Sequence, residues 1–370
     1  MRIRLGMVGG GEGAFIGAVH RIAARMDDRY TLVAGALSSN PGRARASAEA
    51  VGIAADRAYD DFRVMAQEEA AREDGIEAVA IVTPNHLHAP VAEAFLNAGI
   101  HVICDKPLTT SLAEGERLKA VVDRSGKIFA LTHNYSGFPL VRQARQMVAD
   151  GEIGAVRVVV VEYAQDWLAE PLEETGHKQA GWRTDPAQSG PGGSIGDIGT
   201  HAYQLACFVT GLDLRVTASE LSTFVPGRRV DDNAFIRLAA GEARGSLWAS
   251  QVATGAENAL WLRVFGERGA LSWHQERPND LWYTPLGAEP RLITRAGAGA
   301  RDVAARVTRI PAGHIEGYLE GFANIYTEVA QDIIARREGR TADPAVMYPT
   351  IEDGLAGMRF IEDAIRLNGA

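Results

Sequence analysis

Cysteine is nearly absent from this 370-residue chain: Cys104 and Cys207 are its whole complement, both in apolar stretches. Two isolated thiols give no disulfide framework, so a reducing compartment fits, by default the cytoplasm. Long hydrophobic runs are missing too. No apolar stretch approaches the ~20 residues of a membrane-spanning helix, and the opening MRIRLGMVGGG is too short in apolar length for a secretory signal. Positive charge is in deficit, 38 Lys and Arg against 47 Asp and Glu for a net charge of −9, and no Lys/Arg-rich stripe stands out. That argues against nucleic acid or an anionic membrane as partner. Neither a repeat nor a biased tract occurs, which sets aside fibrous and disordered classes.

What is present is alternation. Strand-like apolar runs at 2–8, 30–38, 76–82, 100–104 and 128–133 are separated by helical patterns near 17–26, 41–51, 60–72, 86–98 and 111–125. That spacing predicts right-handed βαβ units and a mostly parallel, doubly wound α/β sheet over residues 1–135. From about 155 the pattern changes to successive alternating strands, AVRVVVVEYAQDWL, DLRVTASELSTFV, DDNAFIRLA, ARGSLWASQVA and LWLRVFGERGALSW among them. These predict a large, mainly antiparallel sheet in an α+β domain over 136–370, with helices at 137–150, 195–210, 315–337 and 351–367.

The first strand ends in GMVGGGEGAFIGAVHR. Glycines there let a backbone approach a pyrophosphate, and the next helix offers N–H groups and a positive dipole end. Gly9 and Gly11 fit the first two fingerprint glycines and Gly17 the third, with five residues between Gly11 and Gly17 where two are usual; Gly13, Phe15 and Ile16 fall inside this cofactor-binding turn. The second strand normally ends in an acid that receives the adenine ribose hydroxyls. Here Ser38, Ser39 and Arg43 stand instead, a set suited to a 2′-phosphate, so NAD or NADP is expected with NADP slightly favoured. Ser38 and Asn40 can equally cap the next helix.

The fourth run closes in VICDKPL. Pro107 lacks an N–H and biases Lys106 toward extended geometry, which holds an ammonium at a strand exit, where open α/β sheets place ligands.

Four elements then coincide in order: the glycine turn ending Gly17-x-x-His20, TPNHLH at 83–88, DKP at 105–107 and GDIGTH at 196–201. Together they resemble the Gfo/Idh/MocA family, the glucose-fructose oxidoreductase and inositol 2-dehydrogenase group, over nearly the whole chain. WRTDP at 182–186 and GHIEGY at 313–318 resemble segments of its inositol dehydrogenase-like members. The resemblance implies a Rossmann domain, an open-faced sheet domain used in oligomerisation, and NAD(P)-linked oxidation of a sugar or cyclitol hydroxyl; a second-half sheet with one face too apolar for water predicts a homodimer or homotetramer. Its Glu-Lys-Pro lysine falls on Lys106, with Asp105 in place of the usual Glu, a shorter acid able to reach a different partner. Its Asp-x-x-x-His pair falls on Asp197 and His201.

Oxidising an alcohol needs a base for the hydroxyl proton and donors that hold the oxygen. His201 suits the base, and Asp197, four residues earlier on the same helical side, suits either its orienter or an acceptor for a neighbouring substrate hydroxyl. The same spacing suits zinc, but no thiolate pair or HExxH accompanies it, so no metal is expected. Lys106 can donate to the reacting oxygen. Thr83, Pro84, Asn85, His88 and Asp105 are placed on the cofactor side, Pro84-Asn85 being equally a helix cap. Tyr135 is a substrate contact or a packed aromatic. Trp182, Arg183 and Asp185, with His314 and Glu316, supply the flat faces and forked donors or acceptors that polyols use. Two alternatives remain: an enzyme with retained cofactor that processes sugars by transient oxidation, and a non-catalytic sugar or dinucleotide sensor on the same fold.

Overall fold

A computed structural model describes residues 2–369. The chain forms two compact units, one running to Asn134 together with Tyr318–Leu355, the other comprising Tyr135–Gly317 and the stretch from Ala356 on. Tyr318–Leu355, which the sequence pattern leaves with the second half, thus clusters with the first.

In the first unit β1 (Ile3–Gly9), β2 (Tyr30–Ala36), β3 (Ala78–Val82), β4 (His101–Cys104) and β5 (Phe129–Leu131) alternate with α1 (Phe15–Met26), α2 (Pro41–Ala50), α3 (Phe62–Ala71), α4 (His88–Asn97) and α5 (Leu112–Ser125). The strands pair in parallel in the order β2-β1-β3-β4-β5. β3 is AVAIV, buried throughout, as a strand covered on both faces must be. The order reverses between β1 and β3, and the crevice beyond the carboxyl ends there is where doubly wound sheets bind ligands.

The second unit contributes α6 (Pro139–Ala149), β6 (Val156–Ala164), the short helices α7 (Lys178–Arg183) and α8 (Pro186–Ser189), α9 (Thr200–Thr210), β7 (Arg215–Ser222), β8 (Asn233–Ala240), β9 (Ala243–Ser250), β10 (Ala259–Gly266), β11 (Gly269–His274), β12 (Asp280–Pro285), β13 (Arg291–Thr294) and α10 (Asp302–Ala305). Two long helices close the chain, α11 (Tyr318–Arg337) in the first unit and α12 (Ile351–Arg366), which crosses the division. In the first unit, Phe322, Tyr326, Val329 and Ile333 of α11 join Ile3, Leu5 and Met7 of β1 and Val19 and Ala23 of α1 in one core.

The eight strands of the second sheet run β13-β12-β11-β10-β6-β9-β8-β7. All neighbours are antiparallel except β6 and β9. Alternation along a strand fixes which side chains face the core but not the direction of the neighbour, so this parallel pair has no sequence signature. One face, with Val159, Val161, Leu262, Val264, Leu271 and Trp273, is buried, and α9 packs on β6, β9 and β10. The opposite face stays open: register places Phe235 beside Trp248, Val158 beside Phe265 and Trp282 beside Leu292. Among the described residues no helix is long and apolar enough to cross a membrane.

Candidate active site

At the exit of β1 the chain turns through Gly9, Gly10 and Gly13, with φ of 78°, 69° and 77°, a region that side chains disfavour. Gly17 brings α1 hard against this turn: a Cβ there would overlap the Cα and carbonyl of Gly10. The close approach therefore pairs Gly17 with Gly10, a residue the fingerprint alignment passes over in favour of Gly9 and Gly11. A Cβ on Gly11 would lie 2.6 Å from the Leu37 oxygen, whereas one on Gly13 would meet nothing within 4 Å. No side chain caps the N-terminus of α1, and its first turn carries no acid. Its leading N–H groups thus offer an anion site beside a glycine cradle. At the exit of β3 the Thr83 hydroxyl is buried with no hydrogen-bond partner among the described residues. Uncapped helix, glycine cradle and orphaned hydroxyl all fit a dinucleotide.

Past β2, Asn40 caps α2 by accepting from the Arg43 N–H at 3.0 Å, and Ser38 Oγ accepts from the Asn40 N–H at 3.2 Å. Capping thus falls to Asn40, with Ser38 shaping the turn before it, while Ser39 and Arg43 are exposed. Asn85 does not cap α4 with its side chain.

The exit of β4 is organised by buried polar contacts. Asp105 accepts from Thr132 Oγ1 at 2.9 Å, and its Oδ1 lies 3.8 Å from Nε2 of the fully buried His20. His20 Nδ1 meets the Tyr326 hydroxyl at 2.8 Å. One of this pair donates and the other accepts, and His20 Nε2 is buried with no hydrogen-bond partner among the described residues. Burial opposes the charge on Asp105, but the His20 imidazole and the Lys106 ammonium outweigh it and hold this carboxyl well below the usual range. The shorter acid has found partners in α1 and beside β5. The ring nitrogens of His88 face the carbonyl oxygens of Pro107 (2.7 Å) and Thr83 (3.0 Å), tying the turns after β4 and β3 together. Burial pulls His88 below its ordinary value, and burial reinforced by Lys106 pulls His133 down to about 3.

In the second unit, Asp197 sits in a π-helical turn, Ile195–Gly199, that runs into α9 carrying His201. The pattern predicts a regular helix over 195–210; the wider turn at its start is a form often met at functional sites. Asp231 anchors this start, accepting from the Gly193 N–H (2.7 Å), Ser194 Oγ (2.6 Å) and the Ile195 N–H (2.9 Å). Asp197 Oδ2 accepts from Gln251 Nε2 at 2.8 Å and lies 3.3 Å from Arg183 Nε. The Arg183 guanidinium stacks 4.2 Å from the Trp182 ring centre and stands 5.9 Å from that of Trp167. The structure therefore brings Asp197, Arg183 and Trp182 together.

It also joins His201 to Tyr135, their rings 5.0 Å apart and edge-on. The Tyr135 hydroxyl is 2.6 Å from that of Tyr163, which donates to Asn258 Oδ1 at 2.8 Å. Burial pushes Tyr135 up to about 12, keeping its proton in place. Gln165 donates to the same oxygen and accepts from Trp167 Nε1. Tyr163, Gln165, Trp167, Gln251, Asn258 and Asp231 were missed by sequence reasoning. Polar residues at every second place where β6 ends, Tyr163-x-Gln165-x-Trp167, were a usable signal, since they share one face.

Other candidates are occupied elsewhere. Asp185 caps α8 and pairs with Arg229 at 2.7 Å. Glu316 is buried with Arg295 at 3.2 Å and accepts from the Arg309 and Ile310 N–H groups, a staple for its own loop. His314 is exposed, and its carbonyl accepts from Arg295. No group of three or more metal-ligating side chains occurs among the described residues.

A parallel sheet with a glycine cradle at its switch point, a lysine at a neighbouring strand exit and a sheet domain carrying an Asp and a His on one helix define a dinucleotide-dependent oxidoreductase. Residues 3–135 match the oxidoreductase family with an NAD-binding Rossmann fold, and residues 141–272 the GFO/IDH/MocA C-terminal domain; the chain belongs to this family. An oxidoreductase from Sinorhizobium meliloti is similar in structure, with a TM-score of 0.89 and 55% identity over 99% of this chain and 97% of that one. An inositol dehydrogenase homolog from Azotobacter vinelandii, solved with NADH and myo-inositol, superposes with a TM-score of 0.91 at 35% identity over 99% and 95%. The uncharacterized oxidoreductase YfiI of Bacillus subtilis is 35% identical over 98% of this chain and 94% of its own.

Proposed function

We propose that this protein oxidises a ring hydroxyl of a cyclitol or pyranose with NAD or NADP. The observation that carries the reading is the Asp197–Arg183–Gln251 cluster flanked by Trp182 and Trp167 on the helix start that leads to His201, a polyol-binding chemistry of flat faces and forked hydrogen bonds. Similarity to a protein solved with NADH and myo-inositol supports it. The glycine turn, the α1 N-terminus and Thr83 hold the cofactor, which when bound supplies the hydride acceptor. Lys106 donates to the reacting hydroxyl oxygen and lowers the cost of its negative charge. His201 takes the hydroxyl proton, its ring fixed by Tyr135. Asp197, held by Arg183 and Gln251, accepts from an adjacent hydroxyl and sets the register of the ring. Net accumulation of reduced cofactor from a panel of inositols and aldoses is the expected result. An enzyme that retains its cofactor, or a sensor, gives none.

NADP is read as binding at least as well as NAD. No acid follows β2, and the Arg43 side chain is exposed at the start of α2 beside Ser38 and Ser39. A charge-assisted bond to a 2′-phosphate is worth roughly 1.5–3 kcal/mol, so Arg43→Ala should weaken NADP about tenfold and leave NAD alone. Ser38→Asp should swing preference to NAD. Titrating both dinucleotides against both variants checks this; constants unchanged by Arg43→Ala would assign the segment to helix capping alone.

The open sheet face supports a homo-oligomer, dimer or tetramer, as does its exposed Phe235 (52%), Trp282 (46%) and Phe265 (40%). Sedimentation at micromolar protein should give a mass at least twice the chain's 39.7 kDa, and a monomer would contradict the reading.

A further inference from the structure

The ends of β3, β4 and β5 lie side by side in the parallel sheet, and the residues following them include Thr83, Lys106 and Asn134. Asn134 opens the tight turn Asn134–Gly137, is 1% exposed, and belongs to none of the hydrogen-bonded clusters described above. Both Oδ1 and Nδ2 are buried with no hydrogen-bond partner among the described residues. Burying an amide strips it of water, so native proteins satisfy such groups almost without exception. The neighbouring Thr132 is already committed to Asp105, and the His133 N–H donates to the Leu131 carbonyl at 3.0 Å. Across the β4 exit, the Thr83 hydroxyl is in the same unsatisfied condition. Two orphaned groups thus flank the strand that delivers Lys106, at the end of the sheet where open α/β folds take ligands.

We infer that Asn134 is a ligand-binding residue whose amide recognises a group presenting a donor and an acceptor together, either the carboxamide of a nicotinamide or two adjacent ring hydroxyls. An amide offers both functions from one planar end, and a phosphate could satisfy only its nitrogen. The inference rests on the dehydrogenase reading above and adds a contact to it. It also carries a cost to the free protein, because an amide kept unsatisfied for a ligand destabilises the unliganded fold.

The test uses Asn134→Leu, close in size and apolar, and Asn134→Asp, which keeps the shape but removes the amino donor. Unliganded Asn134→Leu should melt at or above the wild-type temperature. If the nicotinamide is the partner, its affinity for NAD⁺ and NADP⁺ by fluorescence titration should fall about tenfold or more. If ring hydroxyls are the partner, dinucleotide affinity stays and the extra thermal stabilisation that inositols and aldoses give the NADH-loaded wild type is lost. Asn134→Asp should show the same loss, and stands as the test if the leucine variant does not fold. Unchanged dinucleotide affinity together with unchanged stabilisation across the sugar panel overturns the assignment, as does a melting point several degrees lower with both affinities kept. A wild type that binds neither dinucleotide overturns the dehydrogenase reading itself, whereas a wild type that binds and variants that bind equally overturn the role of Asn134 alone.

Discussion

Lys106→Met is expected to lower kcat by a factor of about 10² or more while leaving the dissociation constant of the dinucleotide nearly unchanged. The reason lies in where the ammonium sits. Lys106 leaves β4 between Asp105, whose carboxylate is fixed by Thr132 and faced by His20, and Pro107, whose carbonyl is met by His88. A side chain held at that exit can stabilise negative charge on a substrate oxygen, a contribution realised mainly in the transition state. Methionine keeps the length and apolar stem but not the charge, and it leaves untouched the cradle of glycines and the α1 N-terminus that the proposal assigns to the cofactor. Steady-state kinetics with fluorescence titration of the dinucleotide checks both halves. Turnover within a few-fold of wild type would remove this role from Lys106.

His201→Ala should cost kcat on the same scale, because in the proposed mechanism His201 is the group that takes the hydroxyl proton. His201 is 8% exposed and packed edge-on against Tyr135, so truncation also opens a cavity and should lower the melting temperature. The two effects separate by chemical rescue: added imidazole should restore part of the rate without restoring the melting temperature. A variant that keeps wild-type turnover, or one whose lost rate is recovered only when stability is, would reassign His201 to packing.

Much of this layout was legible in the sequence because a parallel sheet announces its strands as short apolar runs and its exits as glycine, proline and charge. VICDKPL and GMVGGGEGAFIG carry those signals locally, and each observed strand of the first unit falls within or one residue beyond its expected run. Partners brought in from afar left no mark. His20 meets Tyr326, 306 residues later in the chain, and nothing in either segment names the other. Trp182 and Arg183 were readable as polyol-type side chains, but their grouping with Asp197 and Gln251 depends on how β9 and α7 pack. The same types misled at Glu316, which serves its own loop through Arg295. Tyr135 was open to two readings, and the structure adds its hydroxyl contact with Tyr163 and its edge-on packing against His201, neither of which sequence spacing announces. Asn134, one residue earlier, carried no signal, since only burial with no hydrogen-bond partner among the described residues distinguishes it.

The most direct test of the account follows the hydride itself. A ring-deuterated polyol that supports turnover is mixed with enzyme and oxidised dinucleotide for a single turnover, and the nicotinamide ring is examined by mass spectrometry. Wild-type protein should leave deuterium in the reduced cofactor, with transfer slowed by about 10² or more in both Lys106→Met and His201→Ala. Label that never reaches the nicotinamide, or that reaches it equally fast in the variants, would contradict the proposed mechanism.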